Sequence, residues 1–236
     1  SATLGGSAVL MATDKIIEKS KKVAAHQLEA AVEDIEFNEG IFAVAGTDKT
    51  TTFSAVAKAA ISPKQIPEGM EPGLNENATY TADIMNYPNG CHVCEVEIDP
   101  DTGVTEIVNY NVIDDVGTVM NPLLLKGQIQ GGIVQGVGQA LLEEIVYDDD
   151  GQLITGSFMD YAMPRGDDLP GINVVSNSVP TSTNPLGVKG AGEAGTIGAM
   201  PCVMNAVIDA VSSLGIFQLE MPLTPNRVWQ AIQSAS

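Results

Sequence analysis

A single carboxylate lies at the centre of the densest glycine segment of the chain. Glu193 belongs to residues 187–198, GVKGAGEAGTIG, and the apolar residues 199–214 that follow predict a helix. Glycine allows a backbone to approach a bulky group closely. A carboxylate held in such a loop can act as a general base. It can equally cap the helix that follows, which is the structural alternative. What Glu193 faces therefore decides what the segment does.

The same segment matches the dinucleotide-binding pattern GxGxxG. Its three glycines are Gly190, Gly192 and Gly195. That motif requires a preceding strand, a following helix and an acidic residue about 20 positions later. Here prolines interrupt the approach, Asp209 falls inside the predicted helix, and Glu193 would add negative charge beside a pyrophosphate. These features argue against dinucleotide binding. Because the motif itself is present, a nicotinamide-dependent dehydrogenase is kept as a second enzyme hypothesis.

A second glycine-rich segment, residues 127–139, lies in a predicted helix that covers residues 121–144. Each glycine inside a helix costs about 1 kcal/mol relative to alanine. Such a helix needs compensation, either by close packing of another backbone or by a large ligand, and the sequence leaves both open. Gln128, Gln135 and Gln139 lie near one face. Their amides can donate and accept hydrogen bonds, which suits a polar cofactor.

Charge and composition exclude several classes of partner. The chain has 236 residues and a net charge of −19, from 30 acidic and 11 basic residues. Nucleic acids and anionic membrane surfaces both require a basic footprint, so neither is expected as a partner. No apolar run is expected to reach the length of a membrane span. No secretory signal or lipidation motif is recognisable, and with few cysteines this predicts a cytoplasmic protein.

Two of the three cysteines form a CxxC motif, Cys91 and Cys94. They lie in residues 91–98, whose alternation of apolar and polar side chains predicts a strand. Residues three apart in a strand point to opposite faces. No second pair completes a four-ligand zinc set. The motif is therefore predicted to be structural.

Helices and mostly antiparallel strands are predicted in mixed order. The predicted helices cover residues 7–35, 52–60, 121–144, 199–214 and 225–235. Hairpins are predicted at residues 35–44 and 91–112, strands at 144–147, 153–155 and 172–179, and an irregular segment at 61–77. The lack of a regular βαβ alternation predicts an α+β fold, not a doubly wound sheet.

Three segments occur in a characteristic order: residues 127–138, the DYAMP sequence at 160–164, and residues 187–193. Together they resemble the C-terminal part of the molybdenum-binding subunit of the xanthine dehydrogenase/aldehyde oxidase family. The closer likeness is to the large subunit of carbon monoxide dehydrogenase-type members. The hairpin at 93–109 and the DDVG sequence at 114–117 also fit. The resemblance implies that residues 1–236 form the C-terminal part of a molybdopterin-binding domain, a fragment of a larger subunit.

The resemblance implies a molybdopterin cofactor, often a cytosine dinucleotide in bacteria, that holds molybdenum without protein ligands to the metal. Glu193 matches the family's catalytic glutamate. It would take the proton from a molybdenum-bound hydroxide, so that the oxygen attacks an electron-poor substrate carbon and hydride passes to a sulfido ligand. Gln128 matches the glutamine near the apical oxo ligand. Further cofactor contacts are implied for Ser1, Ala2, Thr3, Lys189, Gly190, Ala191 and Gly192.

The resemblance also implies partners. Electrons would pass to 2Fe-2S clusters and then to FAD on partner subunits, and the rest of the molybdopterin subunit would complete the substrate pocket. Ala194-Gly195 replaces a proline of xanthine-oxidising members. This argues against purines and leaves carbon monoxide, aldehydes and N-heterocycles open as small-molecule substrates. A cofactor-binding fragment that is inert without the rest of the subunit is the non-enzyme alternative.

Overall fold

The computed structural model describes residues 2–235, which divide into two compact units. The first unit contains the residues up to 83 together with 184–186. The second contains residues 84–183 and the chain from 187 onward. Each unit has its own helices, its own three-stranded sheet and its own hydrophobic core.

The first unit begins with a long helix that is shorter than predicted. A π-helical turn, Ala2–Gly6, leads into α1, Ser7–Leu28. The predicted continuation to residue 35 is wrong, because Glu29 adopts a left-handed conformation with φ of 50° and ends the helix. A short 3-10 turn, Val32–Asp34, then leads into the sheet.

The sheet of the first unit is an antiparallel meander. Its strands are β1 (Ile35–Asn38), β2 (Ile41–Val44) and β3 (Thr50–Thr52), in the order β1-β2-β3. The predicted hairpin is confirmed, whereas β3 was not predicted. Helix α2, Phe53–Ala60, begins one residue after the predicted start, because Thr52 is its N-cap and the Thr52 side chain accepts a hydrogen bond from the Ala55 amide.

Apolar side chains from α1, α2 and the sheet form the core of the first unit. Val23, Phe42 and Val56 are fully buried. The ring of Phe42 packs against those of Phe37 and Phe53, with centroids 4.6 and 6.3 Å away. After α2, residues 61–88 form neither helix nor strand, which confirms the irregular segment predicted at residues 61–77 and extends it by 11 residues.

The second unit is built on a long hairpin, β4 (Asn89–Ile98) and β5 (Thr105–Asp115). Its turn is closed by Asp99, whose carboxylate accepts hydrogen bonds from the Asp101 amide and the Thr102 hydroxyl at 3.0 and 2.7 Å. Strand β6, Ile172–Ser176, pairs in parallel with β5. The predicted strands near residues 144–155 reduce to a single bridge between Tyr147 and Leu153.

Three helices complete the second unit: α3 (Pro122–Leu141), α4 (Ala194–Val211) and α5 (Pro225–Ala235). Their apolar faces pack with Tyr110 of β5, and the fully buried members of this core include Ile133, Val203, Val207 and Val228. Helices and mixed sheets in this arrangement confirm the predicted α+β class.

Helix α4 begins five residues earlier than predicted, at Ala194 instead of 199. With the 3-10 turn that follows, Ala194–Leu214 spans 21 residues and contains an 18-residue window of mean hydropathy 1.5. The expectation that no apolar run reaches membrane-spanning length is therefore wrong by length and composition. In the structure Val203, Val207 and Val211 of this helix lie in the core of the second unit.

Candidate active site

Glu193 occupies the N-cap position of α4. Its backbone carbonyl accepts a hydrogen bond from the Ile197 amide at 3.0 Å, which begins the helix. Its side chain makes no capping hydrogen bond and is exposed. The alternative in which the Glu193 carboxylate caps the helix is therefore wrong. The carboxylate stands at the end of the glycine loop and can accept a proton from a bound group.

Gln128 of α3 lies beside this loop. Its side-chain amide Nε2 donates a hydrogen bond to the carbonyl oxygen of Gly192 at 2.8 Å. Gly192 directly precedes Glu193. Two residues that the sequence places 65 positions apart (193 minus 128) are thus brought together by the packing of α3 against α4.

An ion pair anchors the loop at its other end. Lys189 Nζ lies 2.5 Å from Asp115 Oδ2, with the two side chains 14% and 8% exposed. Asp115 Oδ1 also accepts hydrogen bonds from the amides of Gly117 and Val179 at 2.8 and 3.0 Å. The hydrogen bond from Lys189, followed by those from the two amides, holds the pKa of Asp115 below its usual range.

Backbone contacts reinforce this anchor. The Lys189 amide donates to the Val116 carbonyl at 2.9 Å, and the Thr118 amide donates to the Gly187 carbonyl at 2.8 Å. Lys189, which the family resemblance assigned to the cofactor, has its ammonium group engaged by Asp115. Asp115 was not singled out as a site residue. The DDVG sequence was the available signal, but it does not reveal the lysine on the other side of the contact.

The glycines of the loop have two different roles. A Cβ on Gly192 would meet nothing within 4 Å, and one on Gly190 would meet only Pro88 at 3.9 Å. A Cβ on Gly195 would collide with the Ile129 carbonyl and lie 2.9 Å from the Ile133 amide nitrogen. Gly195, the last glycine of the apparent GxGxxG, is therefore a helix-packing residue and not part of a phosphate cradle.

The α3 glycines also divide into two groups. On one side, Cβ atoms on Gly132 and Gly136 would lie 3.0 Å from the Thr196 amide nitrogen and 2.7 Å from the Ala199 Cβ of α4. On the other side, Cβ atoms on Gly127 and Gly131 would meet nothing within 4 Å. Close packing therefore explains Gly132 and Gly136. Gly127 and Gly131 face open space, and for them the ligand explanation stays a prediction.

Of the N-terminal residues implied by the resemblance, Ser1 lies outside the described residues. Ala2 and Thr3 belong to the π-helical turn of the first unit, whereas Glu193 and Gln128 belong to the second.

Cys91 and Cys94 lie on β4 as predicted, the first exposed and the second half-buried. Burial, reinforced by the neighbouring thiol of Cys202, raises the pKa of Cys94 to about 12. Within residues 2–235, no group of three or more His, Cys, Asp or Glu side chains could hold a metal ion. Cys94 and Cys202 are therefore partly buried thiols of a strand and a helix, and Cys91 is an exposed residue of the strand.

Comparison with known proteins identifies the family. Residues 1–170 match the molybdopterin cofactor-binding domain. This chain belongs to the molybdopterin cofactor-binding domain family. It is 38% identical over 234 residues to the 6-hydroxypseudooxynicotine dehydrogenase complex subunit gamma of Paenarthrobacter nicotinovorans, covering 99% of this chain and 29% of the relative.

Carbon monoxide dehydrogenases resemble this molybdopterin-binding chain in both sequence and structure. The large chain from Hydrogenophaga pseudoflava is 35% identical, over 99% of this chain and 29% of the relative. The reconstituted CO dehydrogenase from Oligotropha carboxidovorans superimposes with a TM-score of 0.92 at 34% identity, covering 98% of this chain and 28% of that one. The chain thus spans under a third of the length of these relatives.

The exposed side of α3 and the glycine loop fit the cofactor of this family. Gly127, Gly131 and Gly192 leave backbone exposed where any larger residue would cover it. The first two incur the helical cost of glycine with no packing partner in the described chain to explain it. Gln128 adds a polar side chain beside them. An open, glycine-rich surface with a polar amide suits a large heteroatom-rich ligand.

Proposed function

We propose that this chain is the part of a molybdenum-containing oxidoreductase in which Glu193 acts as the general base. The observation that carries the proposal is the placement of Glu193. Its carboxylate is exposed at the end of an open glycine loop, makes no capping bond, and follows the residue held by Gln128. A group so placed can contribute about 10²–10⁴-fold to the rate by proton transfer.

The cofactor-binding residues are proposed on the same loop and helix. Gln128, Gly190, Ala191 and Gly192 would hold molybdopterin, in the cytosine dinucleotide form. The cofactor supplies a two-electron redox centre. Lys189 contributes through its ion pair with Asp115, which fixes the backbone of the loop against the end of β5.

Residues of this chain would accept and position the proton that is transferred. A Glu193 carboxylate oxygen accepts the proton from the oxygen nucleophile, which makes that oxygen more reactive toward an electron-poor substrate carbon. Gln128 limits movement of the loop, because its amide holds the carbonyl of the preceding residue. A fixed base is more effective than a mobile one, since the cost of orientation is met before the reaction.

The rest of the assembly is part of the proposal. Because the chain spans 29% of its relatives' length, substrate contacts would come largely from the remainder of the subunit. Electrons would pass to 2Fe-2S clusters and FAD on partner subunits in the cytoplasm. The relatives include a 6-hydroxypseudooxynicotine dehydrogenase subunit and carbon monoxide dehydrogenase large chains. Carbon monoxide, aldehydes and N-heterocycles are therefore the substrates to test.

The proposal is tested by purifying the chain together with the remainder of its subunit and its partners. We expect bound molybdenum, pterin-derived fluorescence after oxidation, and reduction of a dye acceptor by at least one of the three substrate classes. A complex without molybdenum or pterin would contradict the proposal. So would NAD binding by this chain alone, which is the outcome that the dehydrogenase hypothesis requires.

A further inference from the structure

A cavity of about 240 Å³ lies in the second unit, between the β4–β5 hairpin and α4. Tyr87, Pro88 and Ile197 provide apolar walls, and His92 and Asp114 provide the polar groups. None of its lining residues is a lysine or an arginine. The polar groups here take no part in the chemistry proposed for Glu193.

Asp114 is buried without a full set of hydrogen bonds. Its side chain is 4% exposed, and its Oδ2 atom is buried with no hydrogen-bond partner in the described part of the chain. Its Oδ1 atom lies 3.7 Å from His92 Nε2, which is close enough for an ion pair when the ring is protonated but too long for a hydrogen bond. A buried acceptor left unsatisfied is costly, so this carboxylate is suited to accept from a ligand.

The neighbouring His92 is held rigidly. Its Nδ1 lies 2.8 Å from the hydroxyl oxygen of Tyr110, and the two rings meet edge to face. The His92 side chain is 6% exposed. Its Nε2 edge therefore has a fixed position next to Asp114 at the cavity.

Two glycines make room for these side chains. A Cβ on Gly198 would lie 2.5 Å from His92 Nε2, and one on Gly90 would collide with Asp114 Oδ1. Neither glycine has a positive φ, so backbone conformation does not require glycine at either position. Gly198 lies within α4, where glycine costs about 1 kcal/mol relative to alanine. Gly198 therefore lowers the stability of α4 but leaves the space that the His92 ring occupies beside the Asp114 carboxylate.

We propose that this cavity binds a small organic cation, an ammonium or protonated N-heterocycle on an apolar ring. The Asp114 carboxylate would accept its N–H and balance its charge, and the apolar walls would contact its carbons. The net charge of −19 adds attraction for a cation. The cavity is smaller than the pockets that typically bind drug-sized ligands, so the cation must be a small ring.

The site does not depend on the function proposed above, so its test measures binding and not turnover. The full 236-residue chain is titrated with piperidinium and, separately, with tetrahydropyran, a neutral ring of similar size. Binding is followed by the ¹H–¹³C NMR signals of the histidine rings. The chain has two histidines, and His26 is exposed on α1 in the first unit, so a His26→Gln variant assigns the signals.

We expect piperidinium to shift the His92 signal in a saturable way, with a Kd of roughly millimolar order, and to leave His26 unchanged. Tetrahydropyran should bind at least about tenfold more weakly, because it lacks the charge and the N–H donors. Equal binding of the two rings would overturn the proposal, since it would reveal an apolar cavity only. Absence of a saturable shift with piperidinium would overturn it as well.

Three variants sharpen the test. Asp114→Asn should weaken piperidinium binding at least about tenfold. Asp209→Asn, which changes an exposed carboxylate on helix α4, should leave it unchanged. Ile197 is 61% exposed at the cavity, so Ile197→Lys can place its own ammonium near Asp114 without disturbing the core. It should abolish binding, and it decides the matter if Asp114→Asn does not fold. Unchanged binding in Ile197→Lys would contradict the proposal.

Discussion

The ion pair between Lys189 and Asp115 fixes the loop that carries Glu193. Both side chains are mostly buried, and Asp115 also accepts two backbone hydrogen bonds. Removing one member of a buried pair leaves the other charge uncompensated, which costs more than the pair itself contributes. The pair therefore gives a direct way to loosen the loop without touching Glu193.

Lys189→Met should lower the free energy of unfolding by about 2 kcal/mol at pH 7, somewhat less than for a fully buried pair, because both groups retain some exposure. Urea denaturation measures the change. Lys126→Met, an exposed lysine on α3, is the matched control and should stay within about 0.5 kcal/mol of the parent. Equal stability of the two variants would show that the ion pair does not hold the loop.

The same pair predicts a pH dependence. The hydrogen bond from Lys189 lowers the pKa of Asp115 in the folded chain below its usual value of 3.8. Because the folded pKa is the lower one, this stabilisation is fully present above pH 3.8 and is lost as the pH falls through the folded pKa. The difference in unfolding free energy between the parent and Asp115→Asn should therefore shrink below about pH 4. A difference that stays constant from pH 6 to pH 3 would contradict this.

For single residues, sequence analysis located some members of the site and missed others. Glu193 and Gln128 could be found because each lies in an unusual glycine-rich context. Asp115 and Asp114 could not, because their partners, Lys189 and His92, are distant in sequence or on the neighbouring strand. Whether Glu193 caps its helix was also undecidable, since that depends on the side-chain conformation.

The packing of α3 against α4 positions the two halves of the candidate site. Gly132 and Gly136 on α3 and Gly195 on α4 allow the backbones to approach, and the Thr196 hydroxyl donates to the Gly132 carbonyl at 3.0 Å. This close approach places Gln128 within reach of the loop. Small residues at the contact therefore determine the geometry of the site.

Replacing glycine with alanine should have opposite effects on stability at the packed face and at the open face of α3. Gly136→Ala should destabilise the chain by about 2 kcal/mol, because the new Cβ would lie 2.7 Å from that of Ala199. Gly131→Ala should instead stabilise it by up to about 1 kcal/mol, since nothing lies within 4 Å and alanine favours the helix. Thermal or urea unfolding of both variants measures the two changes in stability. Shifts of the same sign would contradict the division.

The sequence predicted most elements but not their pairing. Hairpin β4–β5 and helix α5 follow from turn residues and periodicity. The parallel pairing of β6 with β5 is a long-range contact that no local pattern encodes. The start of α4 was missed because residues 194–198 are glycine-rich, and the packing of Gly195 against α3 is a long-range contact that the sequence does not reveal.

The chain as a whole has two hydrophobic cores, one in each unit. The single tryptophan, Trp229, lies on α5 of the second unit, so its fluorescence follows the unfolding of that unit. No local pattern in the sequence marks these two units, because the boundary between them crosses the chain three times, after residues 83, 183 and 186.

Ile133→Ala should lower the unfolding free energy reported by Trp229 by about 3 kcal/mol, because Ile133 is fully buried in the core of the second unit. Ile145→Ala is the matched control, since that side chain is 63% exposed, and it should change stability by under about 0.5 kcal/mol. A similar effect of both substitutions would mean that this core is wrongly assigned.

The most direct test of the account is turnover by Glu193→Gln in the complete, cofactor-loaded enzyme. Glutamine keeps the size of the side chain and removes the proton acceptor. Glu220→Gln, an exposed carboxylate outside the loop, serves as the control. We expect Glu193→Gln to retain molybdenum and pterin in parental amounts and to lose at least about 100-fold in kcat, with the control unchanged. A cofactor-replete Glu193→Gln enzyme that turns over at the parental rate would contradict the assignment of Glu193 as the base.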